Sequence, residues 1–166
     1  MNAIPIEKVR ELLSYDPETG IITNKIPRGS RGIAGTETGY LDAHGYLRIK
    51  VCGALLKAHR IAWALHFGEW PESQIDHINN SRSDNRISNL RLASHSENLM
   101  NCKNRRNNTS GFKGVAWSKC ARKWVASITA NGKARHLGTF SEIEDAANAY
   151  RKAATELHGE FANFGA

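Results

Sequence analysis

The chain has 166 residues, 40% of them hydrophobic and 23% charged, and carries 23 Lys and Arg against 16 Asp and Glu, a net charge of +7. At about 100 to 200 residues per domain this is one ordinary domain or two small ones, and the composition excludes wholesale disorder, collagen-like repeats and coiled coil. No apolar run approaches the roughly 18 residues that cross a bilayer, MNAIPIEKVRELL lacks the layout of a signal peptide, and Cys52, Cys102 and Cys120 form no C-x-x-C pair, so free thiols and a cytoplasmic location are expected.

Pro5 suits the first turn of a helix, and Ile6, Val9, Leu12 and Leu13 follow at helical spacing until Asp16-Pro17 and Gly20 end it. From Gly20 to Gly39 the chain is rich in Gly and Thr, which predicts small strands and loops. Residues 1–40 are as consistent with contacting a ligand as with completing a core. Tyr46, Leu47, Ile49 and Val51 mark a strand, Gly53 a turn and Leu55-Leu56 a second strand; an apolar helix from His59 to Phe67 is stopped by Gly68 and Pro71. In the next segment, QIDHINNSRSDNRISNLRLASHSEN, short strands around Ile75 to Ile78 and Leu90 to Ala93 flank a polar loop. Ser94 and Glu97 form a capping box that opens a helix carrying Asn98.

Residues 101–110, NCKNRRNNTS, read as a basic, Asn-rich linker. Beyond it, Phe112 to Trp117, Lys123 to Ala130 and Lys133 to Phe140 read as strands, the last two joined by the hairpin signal Asn131-Gly132. Ser141 and Glu144 suggest a second capping box, and Ile143, Ala146, Ala147, Tyr150, Ala153, Ala154 and Leu157 repeat at helical spacing until Gly159. The fold class expected is α+β, with three antiparallel strands backed by one helix at the C-terminal end.

The charge is unevenly placed. Residues 1–100 hold 12 Lys and Arg against 11 Asp and Glu; residues 101–166 hold 11 against 5. No carboxylate occurs between Glu97 and Glu142, an interval that carries Arg105, Arg106, Lys113, Lys119, Arg122, Lys123, Lys133 and Arg135 with Trp117 and Trp124 interleaved. Such a stretch suits a polyanion, and nucleic acid is the leading partner.

Asp76-His77, Asn89 and Asn98 are the residues that carry chemistry. Asp and Asn offer oxygen ligands to a hard cation, and a neutral histidine beside them takes a proton from water near neutral pH. Metal and base together are what phosphodiester hydrolysis needs. By spacing alone, asparagines near turns are equally often backbone caps. His59 and His66 read as packing or capping residues, Arg60 as a weak candidate for a phosphate, and Asp84 and Asn85 as turn formers.

The string IDHINNSRSDNRISNLRLASHSEN resembles the HNH endonuclease motif, in the form found in many phage and intron-encoded homing endonucleases. GYLRIKVCGALLKAHRIAWALHFGEWP resembles the segment that precedes it in those enzymes, so the likeness spans about residues 40–104. It implies a nuclease region over residues 1–100 with a ββα core around one divalent ion, magnesium or else manganese. By resemblance His77 is the general base, Asp76 a metal ligand, Asn89 the asparagine that fixes the loop and the imidazole, and Asn98 the second ligand. His95, three residues earlier, is the alternative to Asn98.

The string from Ser110 to Phe164, with its landmarks FKGV, KWVASI, LGTF and AANAYRKAA, resembles the plant ethylene-response-factor DNA-binding domain, which is also found fused to phage HNH nucleases. It implies a module at residues 111–166 whose sheet enters the major groove of double-stranded DNA, with Lys113 and Lys123 on basic positions of the family pattern and Arg135 near another. With Arg105, Arg106, Trp117, Lys119, Arg122 and Lys133 from the basic stretch, these are the candidate contacts. Ala116 and Thr129 stand where the plant domains carry base-reading arginines, so their target sequence does not transfer. The two resemblances imply a homing-type DNA endonuclease that nicks or cuts both strands, a monomer or weak dimer with no obligatory protein partner and no membrane. A non-cutting DNA-binding or regulatory protein is the alternative.

Overall fold

The computed structural model describes residues 4–28, 32–104, 107–130 and 132–165. The chain forms two compact units, Met1–Ala93 and Ser94–Ala166. Among the described residues no helix is long and apolar enough to cross a membrane, and Cys52, Cys102 and Cys120 are free and exposed.

The first unit begins with α1 (Ile6–Leu12), β1 (Leu13–Tyr15) and β2 (Ile22–Asn24). The helix ends earlier than its spacing predicts, because Leu13 to Tyr15 pair antiparallel with Ile22 to Asn24. Asp16 closes that hairpin: its Oδ1 accepts the Glu18 amide at 3.0 Å and its Oδ2 the Thr19 hydroxyl at 2.8 Å. A second sheet, order β3-β4-β5, joins β3 (Tyr40–Leu41), β4 (Leu47–Val51) and β5 (Ala54–Lys57). It leads straight into α2 (Ala58–Phe67), which Gly68 ends in the left-handed conformation at φ 82°. A final antiparallel hairpin pairs β6 (Gln74–His77) with β7 (Leu90–Ala93).

One core serves these pieces apart from β3, whose Tyr40 and Leu41 are exposed. Val9, Leu13 and Ile22 from the N-terminal segment are buried in the same cluster as Ile49, Val51, Ile61, Ile75 and Leu90. The N-terminal residues described therefore complete the core, and at roughly 25 cal/mol per Å² of apolar surface their burial is a main source of the unit's stability. They also brace the loop after β6. The Tyr15 hydroxyl donates to the Asn85 carbonyl at 2.8 Å, and the Ile87 amide to the Pro17 carbonyl at 3.1 Å.

The second unit opens with α3 (His95–Asn101), whose Ser94–Glu97 capping box is fully formed. Strands β8 (Val115–Ser118), β9 (Lys123–Ala130) and β10 (Lys133–Phe140) follow in an antiparallel sheet of order β10-β9-β8, covered by α4 (Ile143–His158). Strand β8 starts later than expected because Gly111 and Gly114 take positive φ. The Ala130↔Lys133 pairing leaves two residues for the turn; Gly132 has φ 72°, and Asn131 lies outside the described residues. The small faces of Ala146, Ala147, Ala153 and Ala154 let α4 lie against Ala126 and Ile128. The register slips between His136 and Gly138, a bulge on the edge strand.

Two further expectations change. Glu142 rather than Ser141 stands at the start of α4 and makes no side-chain cap. Described residues of the stretch read as a linker bond within the second unit: Asn104 Nδ2 donates to the Gly111 and Gly165 carbonyls, Asn108 Nδ2 to the Phe112 carbonyl, and Ser110 Oγ to the Val115 carbonyl. Asparagine side chains satisfy backbone groups that neither helix nor sheet would reach.

Gly20 is the closest approach of the first hairpin to the loop after β6. A Cβ there would stand 2.5 Å from the Arg86 nitrogen and 2.7 Å from the Asn85 carbonyl carbon, at φ 77°. Gly20→Ala is expected to cost about 2 kcal/mol or more in urea unfolding through strain and backbone overlap.

Candidate active site

His77 ends β6 and is buried, and Asp76 beside it is only 4% exposed. Register places Asp76 opposite Arg91 and His77 opposite Leu90. Arg91 donates to Asp76 Oδ2 twice, from Nε at 2.9 Å and Nη2 at 2.8 Å. A buried carboxylate needs such a partner, since an uncompensated one costs several kcal/mol.

Asn89 lies in a short 3-10 turn, Ile87–Asn89, that leads into β7. Its Oδ1 accepts the Asn79 amide at 3.0 Å, its Nδ2 donates to the Asp84 carbonyl at 2.9 Å, and its own carbonyl accepts the Ile78 amide at 3.0 Å. One side chain thus pins both ends of the loop that follows the histidine. Asp84 tightens the same loop through Asn79 Nδ2 at 2.8 Å and the Arg86 guanidinium at 2.6 Å, and these bonds hold its carboxyl far below the usual range. Asn85 is fully buried, with Nδ2 donating to the Ser83 carbonyl at 3.1 Å.

Burial lowers the His77 pKa below its ordinary value of 6.5, against the opposing pull of the Asn85 side chain, Asp76 and Asp84. The imidazole is consequently neutral near pH 7, the form that accepts a proton.

Around it stands a group of residues that the sequence reading treated as packing or left aside. The His59 ring is 5.0 Å from that of His77, and the Tyr46 ring is 5.5 Å from His59 and 6.1 Å from His77. His59 is buried, and burial first, then His77, Lys57, Arg60 and Arg48, push its pKa down to about 3. The signal was the run Lys57-Ala58-His59-Arg60 at the start of α2, where cationic and imidazole side chains are unusual for a helix that is otherwise apolar. Arg60 is committed within the fold, to the Pro71 carbonyl at 3.1 Å and the Ser73 carbonyl at 3.3 Å.

Asn98 and His95 lie on α3, in the second unit. Among the described residues no group of three or more His, Cys, Asp or Glu side chains forms a metal cluster. The candidate ligands Asp76 and Asn98 offer carboxylate and amide oxygens, a set that does not suit tetrahedral zinc. It fits a hard cation that keeps several waters and borrows phosphate oxygens from its substrate.

The candidate contacts in the second unit divide by face. Lys123 shares the outer face of the sheet with Ser127 and Thr129, both exposed. Trp117 pairs with Trp124, ring centroids 5.1 Å apart, so it belongs to the helix-side face rather than the outer one, although 47% exposed at the sheet edge. Lys133 and Arg135 pair with the buried Ala130 and Ile128 and are exposed along edge strand β10. Lys119 and Arg122 are exposed between β8 and β9, and Arg105 and Arg106 lie outside the described residues. Lys113 is half-buried, its Nζ donating to the Met100 and Cys102 carbonyls at 2.6 Å each. The carbonyls left open at the end of α3 draw that ammonium inward, away from the outer face.

Residues 56–100 match the family profile described as HNH endonuclease. The chain is 38% identical over 109 residues to Protein 3.8 of Escherichia phage T7, an alignment covering 65% of this chain and 89% of that protein. The chain carries an HNH endonuclease domain. It is also 32% identical over 125 residues to an uncharacterized HNH endonuclease of Acanthamoeba polyphaga mimivirus, across 74% of this chain and 64% of that one. No solved structure matches it significantly. The HNH match supports a nuclease that acts on DNA, of a family that generally uses divalent metals, and its span from residue 56 to residue 100 takes in His59 as well as Asp76, His77, Asn89 and Asn98.

Because His59 is neutral when folded and titrates at about 6.5 when unfolded, its contribution is fully present above pH 6.5 and is lost as pH falls toward 3. The melting temperature of the wild type is therefore expected to fall more steeply between pH 6 and pH 4 than that of His59→Gln, which has no proton to gain.

Proposed function

We propose that this HNH protein is a metal-dependent DNA endonuclease in which His77 is the general base. The observation that carries the reading is a buried, neutral His77 at a strand end, on a loop that Asn89 holds at both ends. His77 takes a proton from a water aligned on the scissile phosphorus, and the hydroxide attacks in line with the departing 3′ oxygen. The bond from phosphorus to the 3′ oxygen breaks, that oxygen takes a proton from solvent, and the products are a 5′ phosphate and a 3′ hydroxyl. Asn89 keeps the loop in register so that the imidazole does not turn away. Asp76 is the first ligand for the divalent ion, magnesium or manganese; the sequence resemblance names Asn98 as the second, with His95 as its alternative. When bound, the cation stabilises the negative charge that builds on the phosphate.

Targeting is assigned to the second unit, as its resemblance to sheet-type DNA readers implies. Lys123 on the outer face and Lys119 and Arg122 at its end supply phosphate contacts there, while Lys133 and Arg135 lie along the edge. A homing-type role rests on the sequence likeness and the phage and giant-virus relatives. One observation favours the non-cutting alternative: Arg91 already occupies Asp76 Oδ2 with two hydrogen bonds, so a cation must share or displace that partner.

Supercoiled plasmid incubated with the protein in magnesium tests the reading. Open circles or linear DNA are expected with wild type and neither with EDTA or His77→Ala, which should still shift DNA in a gel. Retained cleavage by that variant removes His77 from the mechanism. The lowered His77 pKa also sets the pH profile: kcat/KM is expected to be level above pH 6.5 and to fall below it, as the base becomes protonated.

A separate comparison concerns the sheet. Lys123→Ala is expected to weaken DNA binding and to reduce the salt slope by about 0.9, one phosphate contact. Lys113→Ala, which removes an internal cap, is expected to lower the melting temperature and leave that slope unchanged.

A further inference from the structure

The sequence places the excess positive charge in the second unit, yet the first unit gathers four cations, Lys57 with Arg48, Arg60 and Arg82 around it, beside the His59–Tyr46–His77 group. Arg48, Lys57, Arg60 and Arg82 come from β4, β5, α2 and the loop after β6, and Lys57 and Arg82 converge on one aromatic ring. Lys57 Nζ lies 3.9 Å from the centroid of Tyr46, and the Arg82 guanidinium carbon 5.0 Å from it. That ring is 6.1 Å from His77.

The four are not equivalent. Arg48 is paired with Asp42, Nε to Oδ2 at 3.3 Å, and Arg60 is taken up by the Pro71 and Ser73 carbonyls. Arg82 gives one nitrogen to the His44 carbonyl at 2.9 Å, which leaves most of the five donors of a guanidinium for other partners. Among the described residues neither Lys57 nor Arg82 has a carboxylate within salt-bridge distance. Burial, then Arg48, Arg82 and Arg60, hold the Lys57 ammonium below its ordinary value of 10.5, with Asp42 acting the other way. Like charges crowded against a low-dielectric wall are relieved by an anion.

Their placement is also fixed from several sides. Asp42, in the turn before β4, accepts the His44 and Tyr46 amides at 2.9 and 3.0 Å and so fixes the residue that carries the ring, just ahead of the strand. Arg82 belongs to the loop that Asn89 staples, and its bond to His44 joins that loop to the same turn. An ammonium and a guanidinium held on one ring present a point charge and a planar fork, which together suit the oxygens of a phosphodiester.

We infer that Lys57 and Arg82, seated on Tyr46, form a phosphate cradle in the nuclease unit that holds the DNA backbone beside His77. The inference rests on the reading of the protein as a DNA nuclease. It deepens that reading by giving the catalytic unit its own hold on the strand, separate from the sheet of the second unit. The cradle grips a phosphate next to the one that is cut and contributes to substrate binding rather than to the proton transfer.

The test measures binding of the full chain to a short duplex in EDTA over a range of salt, for wild type, Lys57→Gln, Arg82→Gln, the double variant, Lys57→Arg and the distant Lys8→Gln. Each Gln variant is expected to reduce the slope of log K against log salt by about 0.9, and the double variant by about twice that. Lys57→Arg and Lys8→Gln should keep the wild-type slope. A double variant with the wild-type slope, or a slope lost equally in Lys57→Arg, overturns the cradle. Magnesium-dependent cleavage is measured in parallel on the same proteins, where the Gln variants should raise KM with little change in kcat. If wild type does not cut but the slopes fall as stated, the cradle stands and the nuclease reading fails; if wild type cuts and the slopes do not move, the reverse holds.

Discussion

The candidate site depends on a single side-chain amide. Asn89 reaches back with its oxygen to the Asn79 amide and with its nitrogen to the Asp84 carbonyl, while its main chain bonds to Ile78. A loop of this length between two four-residue strands has few backbone partners of its own. Buried peptide groups left without partners cost about as much as a lost hydrogen bond each, so the amide does for the loop what a third strand would do. With the loop held, Asp84, Asn85 and Arg82 acquire fixed places, and the environment of His77 follows from them.

The rest of the first unit supports that loop from beneath. The β1–β2 hairpin contributes Leu13 and Ile22 to the shared core, lends the Tyr15 hydroxyl to Asn85, and comes close enough at Gly20 that no side chain fits between them. The residues ahead of the nuclease motif thus act as its buttress. The Arg91–Asp76 pair adds a constraint of another kind, since it gives a buried carboxylate a cationic partner beside an imidazole that burial keeps neutral.

Much of this was legible in the sequence, and the parts that were not share a cause. Strands Lys123–Ala130 and Lys133–Phe140, helix α4 and the Ser94–Glu97 cap rest on local signals, alternation, an Asn-Gly turn and capping chemistry, and all are in the fold. Asp76, His77 and Asn89 were legible as a set because a motif fixes their spacing. His59, Tyr46, Lys57 and Arg82 were not: the run from Lys57 to Arg60 stands out at the start of α2, but only the meeting of β5, α2 and the loop makes the four neighbours. Leu13 was read as helical because it keeps the spacing of Val9; pairing with Asn24 across the hairpin decided otherwise. Lys113 was read as a DNA contact from its charge and its place in the resemblance, neither of which tells a cation turned toward solvent from one turned toward carbonyl oxygens.

Strand β10 is an outer strand of its sheet, and it is there that Lys133, Arg135 and the His136–Gly138 bulge fall. An outer strand presents unpaired amides and carbonyls to any other chain, and lysine, arginine and a local kink are the usual deterrents to edge-on association. The two basic residues consequently guard solubility as well as meeting any polyanion. Neutralising both would leave a flatter, apolar rim beside Ala134 and Leu137, and the resulting protein would be prone to aggregate through this strand even with its core intact.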